Sequence, residues 1–201
     1  MGRNHRHNQR KGQAVGTTVA APRALGIDIG RVIIKPGDTS GDTSFLHGSD
    51  ADAMKTPANP GAFEVIGQLV EAFEGRVWLV SKCGPKIQGR TRRWLAHHHF
   101  FHRTGMTSRQ LRFCLKRGDK APICAELGLE AFIDDRPDVL GPMAGIVPWR
   151  YLFGPQRRGR PPSDMIAVGD WAQVATRLLP MAREPDVTAA AAPRSVAAPA
   201  R

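Results

Sequence analysis

Residues 24–34 read ALGIDIGRVII, an almost wholly apolar and glycine-rich run around one carboxylate. A continuous apolar run with many β-branched residues is typical of a strand buried on both faces, so we predict a strand over Leu25–Ile34. A carboxylate inside such a run is costly unless a cation or hydrogen bonds hold it. Gly30 lets the backbone turn or approach a ligand closely. Asp28 is therefore the candidate chemical centre, and the alternative is an aspartate that only caps a strand end.

Length and composition predict one folded domain with a tail at each end. The 201 residues are 41% hydrophobic, which is enough for one good core. We assign residues 23–182 to this domain, residues 1–22 to a disordered basic arm, and residues 183–201 to a disordered tail rich in Ala and Pro. The formal net charge of +11 favours polyanionic partners such as phosphorylated metabolites or nucleic acid.

Cysteine usage and hydropathy predict the compartment. The chain has an odd number of cysteines without paired spacing: Cys83, Cys114 and Cys124. This usage fits a reducing cytoplasm better than a disulfide framework. No apolar run approaches the roughly 20 residues of a membrane span. We therefore expect a cytoplasmic protein without a membrane partner.

Strands and helices are predicted to alternate after the first strand. Further strands are expected at 76–80, 110–114, 131–135 and 146–153. Helices are expected at 60–73, 85–98, 120–127 and 170–179, with a helical turn at 139–144 and a polar loop over Lys35–Pro60. This order predicts a Rossmann-like α/β fold, a parallel sheet with right-handed crossovers and helices on both faces. Only about fifty residues separate Asp28 from Ser81, which leaves room for little or no cap domain.

Polar residues follow three of the predicted strands: Asp28, Ser81-Lys82, and Asp134-Asp135. Ligands of such sheets bind beyond the carboxyl ends of the strands, so we expect these residues to converge. An all-oxygen set of three carboxylates suits Mg²⁺. Ser81 can donate a hydrogen bond to a phosphoryl oxygen, and Lys120 can neutralise developing charge. The alternatives are a helix N-cap for Ser81 and a solvated surface lysine for Lys120.

Four segments, taken in chain order, resemble the motifs of the haloacid dehalogenase-like (HAD) hydrolases. They are the first strand with Asp28, the strand end at Ser81, the helix start at Lys120, and the strand that ends in Asp134-Asp135. The resemblance spans about residues 25–153, and the segment Ile133-Asp134-Asp135-Arg136-Pro137 is similar to that of 5'-nucleotidase-type members. It implies a magnesium-dependent phosphohydrolase that acts through an aspartyl-phosphate on Asp28, with a phosphorylated small molecule, such as a nucleotide, as substrate. The implied metal ligands are Asp28, the Gly30 carbonyl, Asp134 and Asp135. Ser81 would then bind the phosphoryl group, and Lys120 would hold both this group and Asp28.

The sequence departs from the family pattern at Gly30. Most phosphatases of this family carry a second aspartate there, which acts as general acid for the leaving group; its loss costs about 10²–10⁴ in rate. Three interpretations stay open: a slow or specialised phosphatase, different chemistry, and a phosphate- or nucleic-acid-binding or regulatory protein without catalysis. Four residues of the following loop are candidates for a replacement acid: Asp38, Asp42, His47 and Asp50.

Basic residues of the helix after Ser81 form a candidate substrate-binding surface. Lys82 and Lys86 lie closest to the predicted phosphate, and three arginines extend the positive charge: Arg90, Arg92 and Arg93. The alternative for these arginines is a solvated basic face. With the N-terminal arm, this helix also makes nucleic acid a conceivable partner, whereas the oligomeric state stays open. Four histidines lie near the end of this helix: His97, His98, His99 and His102. We interpret them as ordinary helix-end residues rather than as a zinc site.

Overall fold

The computed structural model describes residues 23–35, 48–156 and 162–183. The predicted basic arm over residues 1–22 lies outside the described residues. The same holds for three of the candidate acids, Asp38, Asp42 and His47, and for the predicted tail beyond Arg183. None of the helices among the described residues has the length and hydropathy that crossing a membrane requires.

Six strands form a single parallel sheet. They are β1 (Leu25–Ile27), β2 (Val77–Lys82), β3 (Leu111–Cys114), β4 (Ala131–Asp134), β5 (Trp149–Phe153) and β6 (Ile166–Val168). Their order across the sheet is β3-β2-β1-β4-β5-β6, and all five neighbouring pairs are parallel. The predicted parallel α/β architecture is confirmed.

Seven α-helices connect or follow these strands within the described residues. They are α1 (Asp50–Lys55), α2 (Ala62–Ala72), α3 (Pro85–His97), α4 (Phe100–Thr104), α5 (Lys120–Glu126), α6 (Pro137–Leu140) and α7 (Trp171–Arg183). Short 3₁₀ turns occur at Ser108–Gln110, Arg117–Asp119 and Gly141–Met143.

Alternate residues of the strands face two separate hydrophobic cores. In β4, Ile133 belongs to the core that α2, α3, α4 and α7 cover, whereas Phe132 belongs to the core that α5 and α6 cover. Side chains that alternate across a strand produce this division. Helices therefore lie on both faces of the sheet, as the sequence predicts, and the strand ends remain accessible at the sheet edge.

The centre of the sheet is held together by close packing between β1 and β4. A Cβ atom on Gly26 would lie 2.3 Å from the Phe132 ring, so only glycine fits at this position without a shift. Ile27 pairs with Leu79 on one side and Ile133 on the other. The residues that follow these pairs, Asp28 among them, therefore lie at the same level, at the carboxyl ends of the strands.

The first strand is shorter than predicted. β1 ends at Ile27, and the backbone N–H groups of Ile33 and Ile34 both donate to the Ile29 carbonyl at 3.0 Å. Val32, Ile33 and Ile34 are nevertheless fully buried. The prediction of a strand to Ile34 was wrong because a turn packed into the core has the same apolar composition as a buried strand.

Part of the predicted polar loop is helical. α1 begins after Ser49, whose side chain accepts a hydrogen bond from the Asp52 backbone N–H, and the Asp52 carboxylate accepts one from the Ser49 N–H in return. This capping box stabilises a helix of only six residues. The sequence analysis also missed α4 and β6, which are five and three residues long.

Candidate active site

A cleft opens at the carboxyl edge of the sheet where the strand order reverses. From β1 the chain continues to β2 and β3 on one side, while β4, β5 and β6 lie on the other. Such a switch point is where open α/β sheets bind their ligands. The cleft is lined by Asp28, Gly30, Arg31, Ser81, Lys82, Arg117, Lys120, Asp134, Asp135, Arg136 and Val139.

Three carboxylates meet in this cleft. One oxygen atom from each of Asp28, Asp134 and Asp135 lies within 4.8 Å of the others. Asp28 and Asp134 are only 7% and 1% exposed. Within the part of the chain that the structure describes, no other group of three or more acidic, histidine or cysteine side chains approaches this closely. Residues that are more than a hundred positions apart in sequence therefore form one acidic centre.

Lys120 bridges two of these carboxylates. Its Nζ atom lies 2.6 Å from Asp28 Oδ1 and 2.7 Å from Asp134 Oδ2. Burial alone would lower the pKa of Lys120, but the charges of these two aspartates outweigh it and raise the pKa above its ordinary value. Lys120 is 2% exposed, so it is not the solvated surface lysine of the alternative interpretation. It is a fixed buried cation at the acidic centre.

The acidic centre carries more negative charge than its cations neutralise. Burial raises the pKa of Asp134 above its ordinary value, and although Lys120 opposes this, the charge of Asp28 adds to the increase. Burial together with the charge of Asp28 raises the pKa of Asp135 to about 6, against the effect of Arg31. Raised carboxyl pKa values mark a site where an additional cation would be favourable.

The chemistry of the acidic centre fits a hard divalent cation. Carboxylate oxygens are the ligands that Mg²⁺ prefers, and it needs only one or two of them together with water and substrate oxygens. Asp28, Asp134 and Asp135 supply the side-chain donors, and Gly30 lies in the same cleft. The cluster is compatible with metal binding.

Arg31 is a cleft residue that the sequence analysis did not single out. Its Nε atom lies 2.7 Å from Asp135 Oδ2, and its backbone has a φ of 64°, the left-handed region that non-glycine residues rarely adopt. This conformation costs about 1–2 kcal/mol, so the surrounding structure must hold it. The signal in the sequence was an arginine three residues after Asp28, in a run whose other residues are apolar or glycine.

Two side chains from other elements hold the turn that carries Arg31. The Asn59 Nδ2 atom donates to the carbonyls of Arg31 at 2.9 Å and Val32 at 2.8 Å. Trp171 of α7 donates its indole N–H to the Val32 carbonyl at 2.9 Å. Both donors satisfy carbonyl groups of the turn and thereby hold its backbone.

Ser81 and Lys82 reach the cleft from β2. Both belong to the strand, whereas the N-cap of α3 is Gly84. The alternative in which Ser81 caps this helix is therefore wrong. Ser81 is 6% exposed and lines the cleft, on the strand next to the one that Asp28 follows.

The basic residues of α3, unlike Lys82 of β2, do not line the cleft. Lys86 is exposed outside it. Arg90 and Arg93 lie 2.8 and 2.9 Å from the two Asp50 carboxylate oxygens, and so join α3 to α1. Arg92 stacks over the Phe113 ring at 5.0 Å. Arg90 is buried and so lies on neither a substrate surface nor a solvated face, whereas Arg92 and Arg93 are exposed, as the solvated alternative expects.

Asp50 is poorly suited to replace the missing general acid. The hydrogen bond from Arg90 lowers the pKa of this carboxyl group, although partial desolvation opposes the effect. A general acid needs a pKa near the working pH, and that requires a shift in the other direction. Of the four loop candidates, Asp50 is the only one within the described residues.

The histidines and Cys83 take structural positions. His98 Nε2 lies 2.9 Å from the Met54 carbonyl oxygen, and His99 breaks the helix with a φ of 53°. His98 and His102 therefore do not share one continuous helix, as the zinc interpretation requires. Burial raises the pKa of the Cys83 thiol to about 12, which disfavours the thiolate that a reactive cysteine needs.

Comparisons with solved structures support the fold. No protein-family model and no curated protein matches the sequence. Among solved structures, the chain is similar to a haloacid dehalogenase-like family hydrolase from Xanthomonas campestris, with 13% identity and a TM-score of 0.51. The likeness covers 83% of this chain and 100% of that one. The chain therefore has the haloacid dehalogenase-like fold that its four motifs predict.

Proposed function

We propose that this protein is a magnesium-dependent phosphohydrolase that acts on a phosphomonoester through an aspartyl-phosphate on Asp28. The observation that carries the proposal is the buried acidic centre, in which Lys120 contacts both Asp28 and Asp134. Asp28, Asp134, Asp135 and the Gly30 carbonyl would hold Mg²⁺, which would reduce the repulsion between a carboxylate nucleophile and an anionic phosphoryl group.

The residues of the cleft divide the work of phosphoryl transfer. A carboxylate oxygen of Asp28 attacks phosphorus, and the bond from phosphorus to the leaving oxygen breaks. Lys120 and the Ser81 hydroxyl stabilise the charge on the phosphoryl oxygens. Water then attacks the aspartyl-phosphate, which releases inorganic phosphate and regenerates the Asp28 carboxylate. Lys120 enters the reaction charged, because both neighbouring carboxylates raise its pKa.

Gly30 restricts the substrates that such a site turns over fast. Without a carboxylic acid at this position, the leaving oxygen departs without a proton from the family's usual donor. Esters of acidic alcohols need less assistance than esters of simple alcohols. We therefore expect faster turnover of aryl phosphates than of alkyl phosphates.

Gly30 also supports a second candidate function. A protein with the same metal and phosphoryl contacts but without a general acid would bind phosphorylated ligands and release them unchanged. Such a binding or regulatory protein requires the same acidic centre but no aspartyl-phosphate. Both candidates bind phosphorylated ligands, but only the phosphohydrolase converts them. Measured turnover therefore separates the two.

The test is hydrolysis of p-nitrophenyl phosphate and a panel of phosphomonoesters, with Mg²⁺ or with EDTA. We expect magnesium-dependent phosphate release that Asp28→Asn abolishes. Asp170→Asn is the matched control, since Asp170 caps α7 through the Gln173 N–H and asparagine caps equally well. Equal turnover by wild type and Asp28→Asn would refute hydrolysis through an aspartyl-phosphate on Asp28; phosphate binding without any turnover would favour the second candidate.

A further inference from the structure

One side of the sheet is built from a stretch of sequence without acidic residues. Between Glu74 and Asp119 the chain carries eleven Lys or Arg residues and no Asp or Glu. This stretch forms β2, α3, α4 and β3, and β3 is an edge strand of the sheet. The fold therefore gathers positive charge along this edge.

Ion pairs neutralise only part of this charge. Five of the eleven residues contact an aspartate or glutamate: Arg76, Arg90, Arg93, Arg103 and Arg117. The other six make no ion pair with any residue in the described ranges: Lys82, Lys86, Arg92, Arg109, Arg112 and Lys116. Their charge is open to a partner outside the described chain.

Four of these six residues lie along β3, and we call them the β3 cations. Arg109 precedes the strand, Arg112 is within it, and Lys116 follows it. Arg92 reaches the strand from α3 and stacks over the Phe113 ring at 5.0 Å. Arg112 is half-buried and the other three are exposed. In extended chain, Arg112 and Lys116 are about 13 Å apart, so the β3 cations form a row rather than a single pocket.

Neutral groups hold two of the β3 cations in place. Arg112 Nη1 donates to the carbonyls of Arg109 at 2.6 Å and Leu111 at 3.3 Å. These contacts, like the stacking of Arg92 on Phe113, order a guanidinium group without cancelling its charge. Groups ordered in advance lose less entropy when a ligand binds. The same contacts occupy backbone carbonyls at the open edge, which makes β3 a poor template for an added peptide strand.

The row of β3 cations leads into the cleft. Lys82 lines the cleft and pairs with Cys114 of β3 across the sheet. Lys116 directly precedes Arg117, another residue of the cleft lining. Between Cys114 and Lys116 lies Leu115, which is 62% exposed. An unpaired nucleobase can cover such an apolar side chain while its phosphates meet the cations on either side.

We propose that the β3 cations bind the backbone of a single-stranded nucleic acid, whose phosphorylated end enters the cleft. A phosphodiester backbone repeats its charge along its length and so matches a row of cations, whereas a phosphorylated metabolite carries its charge at one point. The placement of the end in the cleft rests on the proposed function. Binding of the backbone does not.

Backbone binding can be measured without turnover. Fluorescence anisotropy in EDTA follows a labelled twelve-nucleotide oligothymidylate over a range of salt concentrations. Since each phosphate contact on a single strand contributes about −0.7 to the slope of log K against log salt, the four β3 cations predict a slope of about −3. Arg109→Ala and Lys116→Ala should each reduce the slope by about 0.7 and weaken binding about five- to tenfold at about 50 mM salt.

Arg177→Ala is the matched control. Arg177 is an exposed arginine of α7, which follows β6 at the opposite edge of the sheet. Its removal changes the net charge equally, and the affinity should change by less than about twofold. Neither Arg109 nor Lys116 lines the cleft, so both variants should hydrolyse p-nitrophenyl phosphate as wild type does. Thermal melts will show that each variant is folded.

The position of the end is tested with Mg²⁺ present. Oligothymidylate with a 5'- or a 3'-phosphate is compared with the matching thymidine monophosphate. We expect kcat/KM for one of the two oligonucleotides to exceed that of its mononucleotide at least about tenfold, and Arg109→Ala to remove most of this advantage.

Several results would overturn the inference. Oligothymidylate might fail to bind at low salt, or bind equally well to wild type, Arg109→Ala and Lys116→Ala. Displacement of the oligonucleotide by phosphatidylserine vesicles or polyglutamate at lower charge concentration would assign the β3 cations to a membrane or an acidic protein instead. A phosphorylated oligonucleotide that is hydrolysed no better than its mononucleotide would remove its end from the cleft. If the proposed function alone fails, oligothymidylate still binds through the β3 cations but p-nitrophenyl phosphate is not hydrolysed.

Discussion

Replacement of Lys120 by methionine tests how the acidic centre is held together. Lys120 Nζ lies 2.6 and 2.7 Å from Asp28 and Asp134, and the side chain is 3% exposed. Methionine has a similar length without the charge, so Lys120→Met leaves two buried carboxylates without their shared cation. Removing one partner of a buried ion pair costs about 3–5 kcal/mol, because the remaining charge stays desolvated.

This loss can be measured as the free energy of unfolding in urea at pH 8 with EDTA. For a chain of this size, 3–5 kcal/mol lowers Tm by about 6–20 °C. At pH 5.5 the loss should shrink, because protonation of Asp134, whose pKa burial raises, removes one of the negative charges that Lys120 balanced. Excess Mg²⁺ should also reduce it, since a cation that binds only the folded state stabilises that state.

The matched control is Lys82→Met. Lys82 lines the same cleft but is partly exposed, and surface substitutions change stability by about 0.5 kcal/mol or less. A loss of less than about 1 kcal/mol for Lys120→Met at pH 8, or the same loss at pH 8 and pH 5.5, would refute this account of the acidic centre.

Three further changes test other parts of the site. With EDTA, the stability of wild type relative to Asp135→Asn should rise by about 1.4 kcal/mol as pH falls from 7.5 to 5, because the raised pKa of about 6 means that folded Asp135 takes up a proton before the unfolded chain does. Arg31→Gly should be about 1 kcal/mol more stable than Arg31→Ala in urea, because only glycine adopts a φ of 64° without strain. Gly30→Asp should raise kcat for alkyl phosphates by about 10²–10⁴ and affect p-nitrophenyl phosphate much less.

Each of these predictions has a result that contradicts it. An Asp135→Asn variant whose stability follows the wild-type pH curve would show that this carboxyl group does not titrate in the window. Equal stability of the two Arg31 variants would place the backbone turn in an unstrained conformation. A Gly30→Asp gain that is the same for aryl and alkyl esters would exclude proton donation to the leaving group; Gly30→Asn serves as the uncharged control.

The strand ends of the site could be predicted because their physical signals are local. An aspartate after a buried apolar run, as at Asp28 and Asp134, is costly without a partner and so marks a site in any sequence. Strand and helix alternation then fixes a parallel sheet, whose carboxyl edge brings such residues together. The convergence of Asp28, Ser81 and Lys120 in one cleft follows from these rules.

Other parts of the site depend on contacts that leave no local signal. Arg31 was missed because its role depends on a left-handed turn that Asn59 and Trp171 hold from distant segments. The roles of Arg90 and Arg93 were misjudged because their partner, Asp50, lies 40 or more residues earlier in the chain. Sequence pattern shows that a residue is charged but does not show which charge it meets.

The most direct test of the central claim is chemical trapping of the phosphorylated enzyme. Wild type is mixed with p-nitrophenyl phosphate and Mg²⁺, quenched, reduced with borohydride, and digested for mass spectrometry. The account predicts conversion of Asp28 to homoserine, only when Mg²⁺ is present and not in Asp28→Asn. Phosphate release with no modification at Asp28, or with the modification on another carboxylate, would contradict it.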